Sequence, residues 1–173
     1  MRRRGGWFGV VAVLTVLALA AFPAAAQKNT IKIGAILAVT GPASNLGAPE
    51  AKTLEMLVEE TNAAGGLLGR RVELVLKDSG ASPEKAVSLA LELIEKDGVE
   101  LLQGPVSSAS AIALTNVALE NKIILMVDPA ASYYTTGAYF NPYVFRPCRT
   151  SFDDTLIIAK YLVENVGPSF AHI

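Results

Sequence analysis

One cysteine, one histidine and one tryptophan are all that these 173 residues hold of those types. A lone Cys148 cannot close an intrachain disulfide, and with no histidine near it in sequence it reads as a core or hinge residue. The single histidine, His172, stands next to last, so the sequence supplies no nucleophile and base pair and no metal-ligating cluster, which argues against an enzyme and implies no cofactor. Excess positive charge is lacking too. Fifteen Lys and Arg face 16 Asp and Glu, a net charge of −1, and nucleic acid is a poor partner for such a chain. Nor is there a run of about 20 apolar residues, the length a membrane-crossing helix needs. The stretch from Val10 to Phe22 is 13 residues long and is interrupted by Thr15.

That stretch has another reading. It follows Met1-Arg2-Arg3-Arg4 and leads into Pro23-Ala24-Ala25-Ala26-Gln27, the pattern of a secretory signal peptide cleaved after Ala26. Cleavage would remove Trp7 and three arginines, leaving 12 basic against 16 acidic residues and a net charge of −4. The remainder is long enough for one ordinary domain and too short for two.

Strand and helix patterns then alternate. Ile31 to Ala38 is an almost continuous apolar run that ends at Thr40-Gly41-Pro42, as expected of a central strand buried on both faces. The loop from Thr40 to Gly47 feeds a helix with Leu54, Leu57, Val58 and Thr61 on one stripe, closed by Gly65-Gly66. The glycines of GGLLG follow a helix and lack a downstream Lys-Ser/Thr, so they are no phosphate loop. Arg71 to Asp78 is a second strand. Ser82-Pro83-Glu84 opens a second helix, whose stripe is Ala86, Leu89, Ala90, Leu93 and Ile94. Val99 to Gln103 makes strand three, and Ser107 to Glu120 makes helix three, with Ile112, Leu114, Thr115 and Leu119 as candidates for burial. Ile123 to Val127 is strand four, and Val144 to Arg146 a short strand five. Such alternation predicts an α/β fold with right-handed crossovers and a doubly wound parallel sheet.

Ligands bind such sheets beyond the carboxyl ends of the strands. Three loops share that edge, Thr40 to Gly47, Gly104 to Ser108 and Asp128 to Tyr134, all rich in small hydroxyl residues. The middle one, in LLQGPVSSASAIAL, joins an apolar strand to a helix N-terminus, where unpaired N–H groups and the helix dipole favour a carboxylate or phosphate. Ser107 by itself is a plain N-cap. The convergence of three loops adds a ligand-binding reading to it.

Taken in order, IKIGAILAVTGPASNLG, NAAGGLLGRRVELVLKD, SPEKAVSLALELIEKDGV, GPVSSAS, ILMVDPAAS and VFRPCRTSFDD resemble the periplasmic substrate-binding proteins of branched-chain amino acid ABC transporters, the leucine/isoleucine/valine-binding type. The resemblance implies the type I periplasmic-binding fold, whose Rossmann-like first lobe holds the ligand's α-carboxylate. Carried onto this chain, the implied contacts are Ser107, Ala130 and Ser132, with Ser108, Ala131, Leu46 and Tyr133 beside them. It also implies a small-molecule ligand, an amino acid or related carboxylate, and permease subunits in the membrane as partners in the periplasm. A ligand-sensing receptor domain would use the same lobes. Ala81 and Val106 stand where some relatives carry a disulfide. Leu46 stands where an aromatic residue is often found, and Tyr133-Tyr134 follow Ser132 unusually, which leaves an aromatic carboxylate open.

Relatives of this kind have two lobes. Here the expected division is a signal peptide over 1–26, an N-terminal ligand-binding lobe over 27–147, and over 148–173 a hinge with the start of an incomplete second lobe. Ser151 and Asp154 are spaced as a capping box. Ile157, Ile158, Tyr161 and Leu162 form an apolar stripe, and Ser169 to Ile173 would begin a strand of the second lobe. The second lobe is largely missing, so the chain reads as a fragment with a loosely held tail.

Overall fold

The computed structural model describes residues 30–167. The expected signal peptide, its cleavage site at Ala26, Trp7, His172 and the strand from Ser169 lie outside the described residues. Five strands, β1 (Thr30–Leu37), β2 (Arg71–Asp78), β3 (Leu101–Gln103), β4 (Ile124–Met126) and β5 (Val144–Phe145), pair in parallel in the order β2-β1-β3-β4-β5. This is the doubly wound sheet that the alternating pattern predicts. Helices α1 (Ser44–Ala63), α2 (Pro83–Glu92) and α3 (Ser108–Asn121) connect the first four strands, and α4 (Ser151–Asn165) follows β5.

Strand alternation divides the core between the two faces. Ile36 packs with Leu102, Leu125, Ala86, Ala90, Leu93, Ala111 and Leu114, so α2 and α3 cover that face. Ala35 and Leu37 point the other way and join Ala38, Ala51 and Val106, with Leu54, Leu74 and Leu76 packed around them under α1. Each fully buried leucine or isoleucine contributes roughly 1.5–3 kcal/mol relative to exposure. Toward β5 the α1 side of the sheet is thinly covered, and Ile124 and Phe145 remain 43% and 49% exposed.

Several local expectations shift. Helix α1 begins at Ser44, inside the expected loop, so Leu46 lies in its first turn. The loop is shorter because Gly47 lets the helix backbone lie against β1: a Cβ there would stand 2.3 Å from the Ala38 carbonyl oxygen. Leu57 and Leu119, read as candidates for burial, are about half exposed, because each helix is wider than the strip of sheet it covers. After α2 the chain adds a π-helical turn, Leu93–Asp97, that ends on left-handed Gly98. The capping box of α4 uses Thr150 and Asp153, one residue before the expected pair.

Candidate functional site

The strand order reverses between β1 and β3, which opens a crevice at their carboxyl ends. The three loops foreseen from sequence arrive there. Gly104 makes the approach possible, with φ of +100° and a notional Cβ only 2.5 Å from the Ile36 carbonyl oxygen.

Ser107 is the N-cap of α3, and its Oγ accepts from the Ser110 N–H at 3.4 Å. Ser108 opens the helix, and its Oγ accepts from the Ser132 N–H at 3.2 Å. That contact brings the loops after β3 and β4 together at the positive end of the α3 dipole. Ala130 is buried, Ala131 and Ser132 are partly buried, and Tyr133 starts a short 3-10 turn with its side chain half exposed. Leu46 stands 53% exposed on α1, the third element at this edge.

Residues that the sequence reading did not single out hold these loops in place. The Arg146 guanidinium, just past β5, donates to the Ser132 carbonyl oxygen at 2.7 Å, to that of Ala130 at 3.5 Å and to the Thr136 hydroxyl. The Ser151 N–H donates to the Ala131 carbonyl oxygen at 2.7 Å. Three consecutive carbonyls are therefore drawn toward the segment that enters α4, and this fixes the direction of the Ala130–Ser132 main chain. The Cys148 thiol lies 3.7 Å from the Val127 carbonyl oxygen, and burial, with the Asp128 carboxylate nearby, pushes it up. A signal for Arg146 existed, since a charged residue at the end of an apolar strand needs partners.

Two carboxylates flank the crevice in opposite electrostatic settings. On one side, Asp78 accepts from the Thr40 hydroxyl at 2.5 Å and from the N–H groups of Val39, Thr40 and Gly80 at 2.9, 3.2 and 3.0 Å. Chiefly through the Thr40 hydroxyl, these bonds hold its carboxyl down to about 2 and tie the first loop to the end of β2. On the other, Glu50 of α1 reaches the Gln103 side-chain amide at 3.4 Å, while its second oxygen is buried without a partner. Burial raises its carboxyl to about 7, with the Gln103 hydrogen bond opposing and the Asp128 carboxylate adding.

The opposite end of the sheet has an open groove of about 530 Å³ between α1 and β2. Its rim carries Glu55, Glu59 and Glu73, and none of the three loops reaches it. Among the described residues no group of three His, Cys, Asp or Glu is placed to hold a metal ion, and no helix is long and apolar enough to cross a membrane.

Residues 30–173 match a family model described as periplasmic binding protein. The Leu/Ile/Val-binding protein BraC3 of Rhizobium johnstonii is 34% identical over 151 residues, which cover 87% of this chain and 40% of that protein. The branched-chain amino acid transporter substrate-binding protein of Streptococcus pneumoniae, solved with isoleucine, superposes with a TM-score of 0.72 at 29% identity, over 79% of this chain and 38% of that one. A solute-binding protein of an ABC transporter from Rhodopseudomonas palustris, solved with 3,4-dihydroxybenzoic acid, gives 0.74 at 26% identity, over 80% and 37%. The chain thus spans about two fifths of the length of the curated relatives it matches.

Proposed function

Since the chain belongs to the periplasmic binding protein family, we propose that it carries the first ligand-binding lobe of an extracytoplasmic solute-binding protein. That protein captures an amino acid or related small carboxylate and delivers it to the permease of an ABC transporter. In this reading residues 1–26 direct export to the periplasm and are removed, 27–147 form the lobe, and 148–173 lead through the hinge into a second lobe. It binds its ligand without transforming it.

The observation that carries the proposal is the Ser108–Ser132 contact at the N-terminus of α3. It gathers two hydroxyls, the first-turn N–H groups and the fixed Ala130–Ser132 main chain at one end of a helix dipole, and a carboxylate is the group such donors suit. Ser108 and Ser132 lend their hydroxyl protons, Ala130 and Ala131 their main chain, and Leu46 and Tyr133 border the rest of the ligand. Ser107 holds the helix entrance in place and lends a third hydroxyl.

Calorimetric titration with L-isoleucine tests this. A hydrogen bond to a charged group contributes roughly 1.5–3 kcal/mol, so Ser108→Ala is expected to weaken binding about ten- to a hundredfold. Ser107→Ala loses a cap as well and is expected to lower the melting temperature. If Ser107→Ala and Ser108→Ala both lower the melting temperature and both leave affinity unchanged, the serines only build the helix entrance and the proposal is wrong.

A further inference from the structure

Strand β2 ends the sheet on the side farthest from β5, so its free edge is remote from the point where the chain leaves for α4. Its other edge pairs with β1 in unbroken register from Arg71 to Asp78, with no bulge and no proline. In a parallel ladder successive residues turn their N–H and C=O groups to opposite sides. Asn62 shows which side is which: its amide accepts from the Val72 N–H and donates to the Val72 carbonyl oxygen, both at 2.8 Å, as a neighbouring strand would. Even-numbered residues therefore turn outward. The next two are Leu74 and Leu76, and among the described residues nothing bonds their outward main-chain groups.

Sheets commonly blunt such an edge with like charges, proline or a bulge. This edge instead carries charges of opposite sign, placed symmetrically about Val75. Glu73 is exposed, 3.9 Å from Lys32, and Lys77 is partly exposed between Glu92 at 3.0 Å and Asp97 at 3.6 Å. Alternation puts both on the α2 face with Val75, which packs into the core there. Leu74 and Leu76 belong to the α1 face, and Leu74 lines the open groove between α1 and β2.

We propose that β2 is a self-association edge, along which a second copy of this chain adds its own β2 antiparallel about a two-fold axis at Val75. In this register Leu74 faces Leu76 of the second copy, and Leu76 faces Leu74 of the second copy, so the free N–H and C=O groups of both chains are all used. Glu73 faces Lys77 of the second copy at the closer, non-hydrogen-bonded spacing, and the symmetry makes the same pair again. A slip of two residues in one direction would set Arg71 against Lys77, and in the other Lys77 against Val75, so charge selects this register. The Asn62 amide, already on Val72, closes the ladder at its end.

Sedimentation equilibrium and hydrogen exchange of the 173-residue chain across a concentration series test this. The unsubstituted chain is expected to dimerise, with the Leu74 and Leu76 amides more strongly protected as concentration rises. Glu73→Lys and Lys77→Glu each set like charges opposite one another at both symmetric sites and are expected to weaken the dimer about tenfold. Reversing both charges together restores the pairs and is expected to recover it. A chain that stays monomeric, or a dimer whose Leu74 and Leu76 amides exchange as in the monomer, overturns the proposal whether or not the variants fold. Association through the apolar stripe of α4 would give that second result. With circular dichroism intact, single reversals that leave the dimer unchanged, or a double reversal that does not recover it, overturn it as well.

Discussion

Helices α3 and α4 are 14 and 15 residues long, each begins at a hydroxyl cap, and each carries large apolar side chains, yet they end in opposite environments. Helix α3 buries Ser110, Ala111, Leu114, Thr115, Val117 and Ala118. None of the residues of α4 is buried, and Ile157, Ile158 and Tyr161 are 69%, 57% and 62% exposed. The difference lies in what flanks them. Strands β3 and β4 grip both ends of α3 and lay it on the sheet, whereas α4 is tied at its N-terminal end, through the Ser151 N–H to the Ala131 carbonyl oxygen. An apolar stripe therefore reports that a helix needs a cover, and the neighbouring strands determine whether it has one.

The strongest way to break this contrast is to truncate one side chain in each helix and follow unfolding in urea. Leu114→Ala, at a fully buried site, is expected to cost about 2–5 kcal/mol. Ile157→Ala is expected to stay within about 0.5 kcal/mol. Comparable losses would mean that α4 has a cover after all. Hydrogen exchange reads the same contrast without substitution, and uniformly strong protection from Ile157 to Leu162 in a monomer would contradict it.

Proton concentration sharpens the comparison, because Glu50 belongs to the packed part of the molecule and has no counterpart on α4. Its folded carboxyl titrates near 7 against an ordinary 4.5, so the fold favours the protonated form. That contribution is complete below about pH 4.5 and is lost as pH rises through about 7. The lobe is expected to be less stable at about pH 8 than at about pH 5, by roughly 1–2 kcal/mol once the partial exposure of the group is allowed for. Urea midpoints at the two pH values check this. Glu50→Gln should flatten the profile, and an unaltered slope in that variant would assign the effect to another group.

The smallest expected effect concerns the cap of α4. Thr150→Ala removes the hydroxyl half of the capping box, leaving the Thr150 N–H bonded to Asp153, and should cost the helix about 1 kcal/mol. Far-UV circular dichroism is expected to show less helix, with the melting of the lobe unmoved. A lower lobe melting temperature would show that α4 folds in one unit with the sheet.

The five strands and their order of use were legible because a parallel sheet buried on both faces demands apolar runs, and Ile31 to Ala38 and Ile123 to Val127 supply them. The three loops of the site were legible for a related reason: glycine, proline and serine cluster where strands end. What escaped depended on distance in sequence. Nothing local to Glu50 points to Gln103, which is 53 residues away. Arg146 likewise finds its partners across the loop at Ala130, Ser132 and Thr136. The start of α1 was misplaced because the local signal, Thr40-Gly41-Pro42 followed by glycine at 47, suggests a longer loop, and only the closeness of Ala38 explains a glycine within a helix.

Gly47 has a consequence for how this lobe can vary over time. At most helical glycines alanine is a small step, and lineages pass through it freely. Here the first atom of any side chain would collide with the carbonyl group of Ala38, and that obstacle is main chain, which no compensating replacement nearby can trim. In a mutational scan the position should behave as a gate with no intermediate setting. The seat of the helix that frames the crevice therefore stays fixed, and Gly104, whose Cβ would stand 2.5 Å from the Ile36 carbonyl oxygen, fixes the crevice loop in the same way.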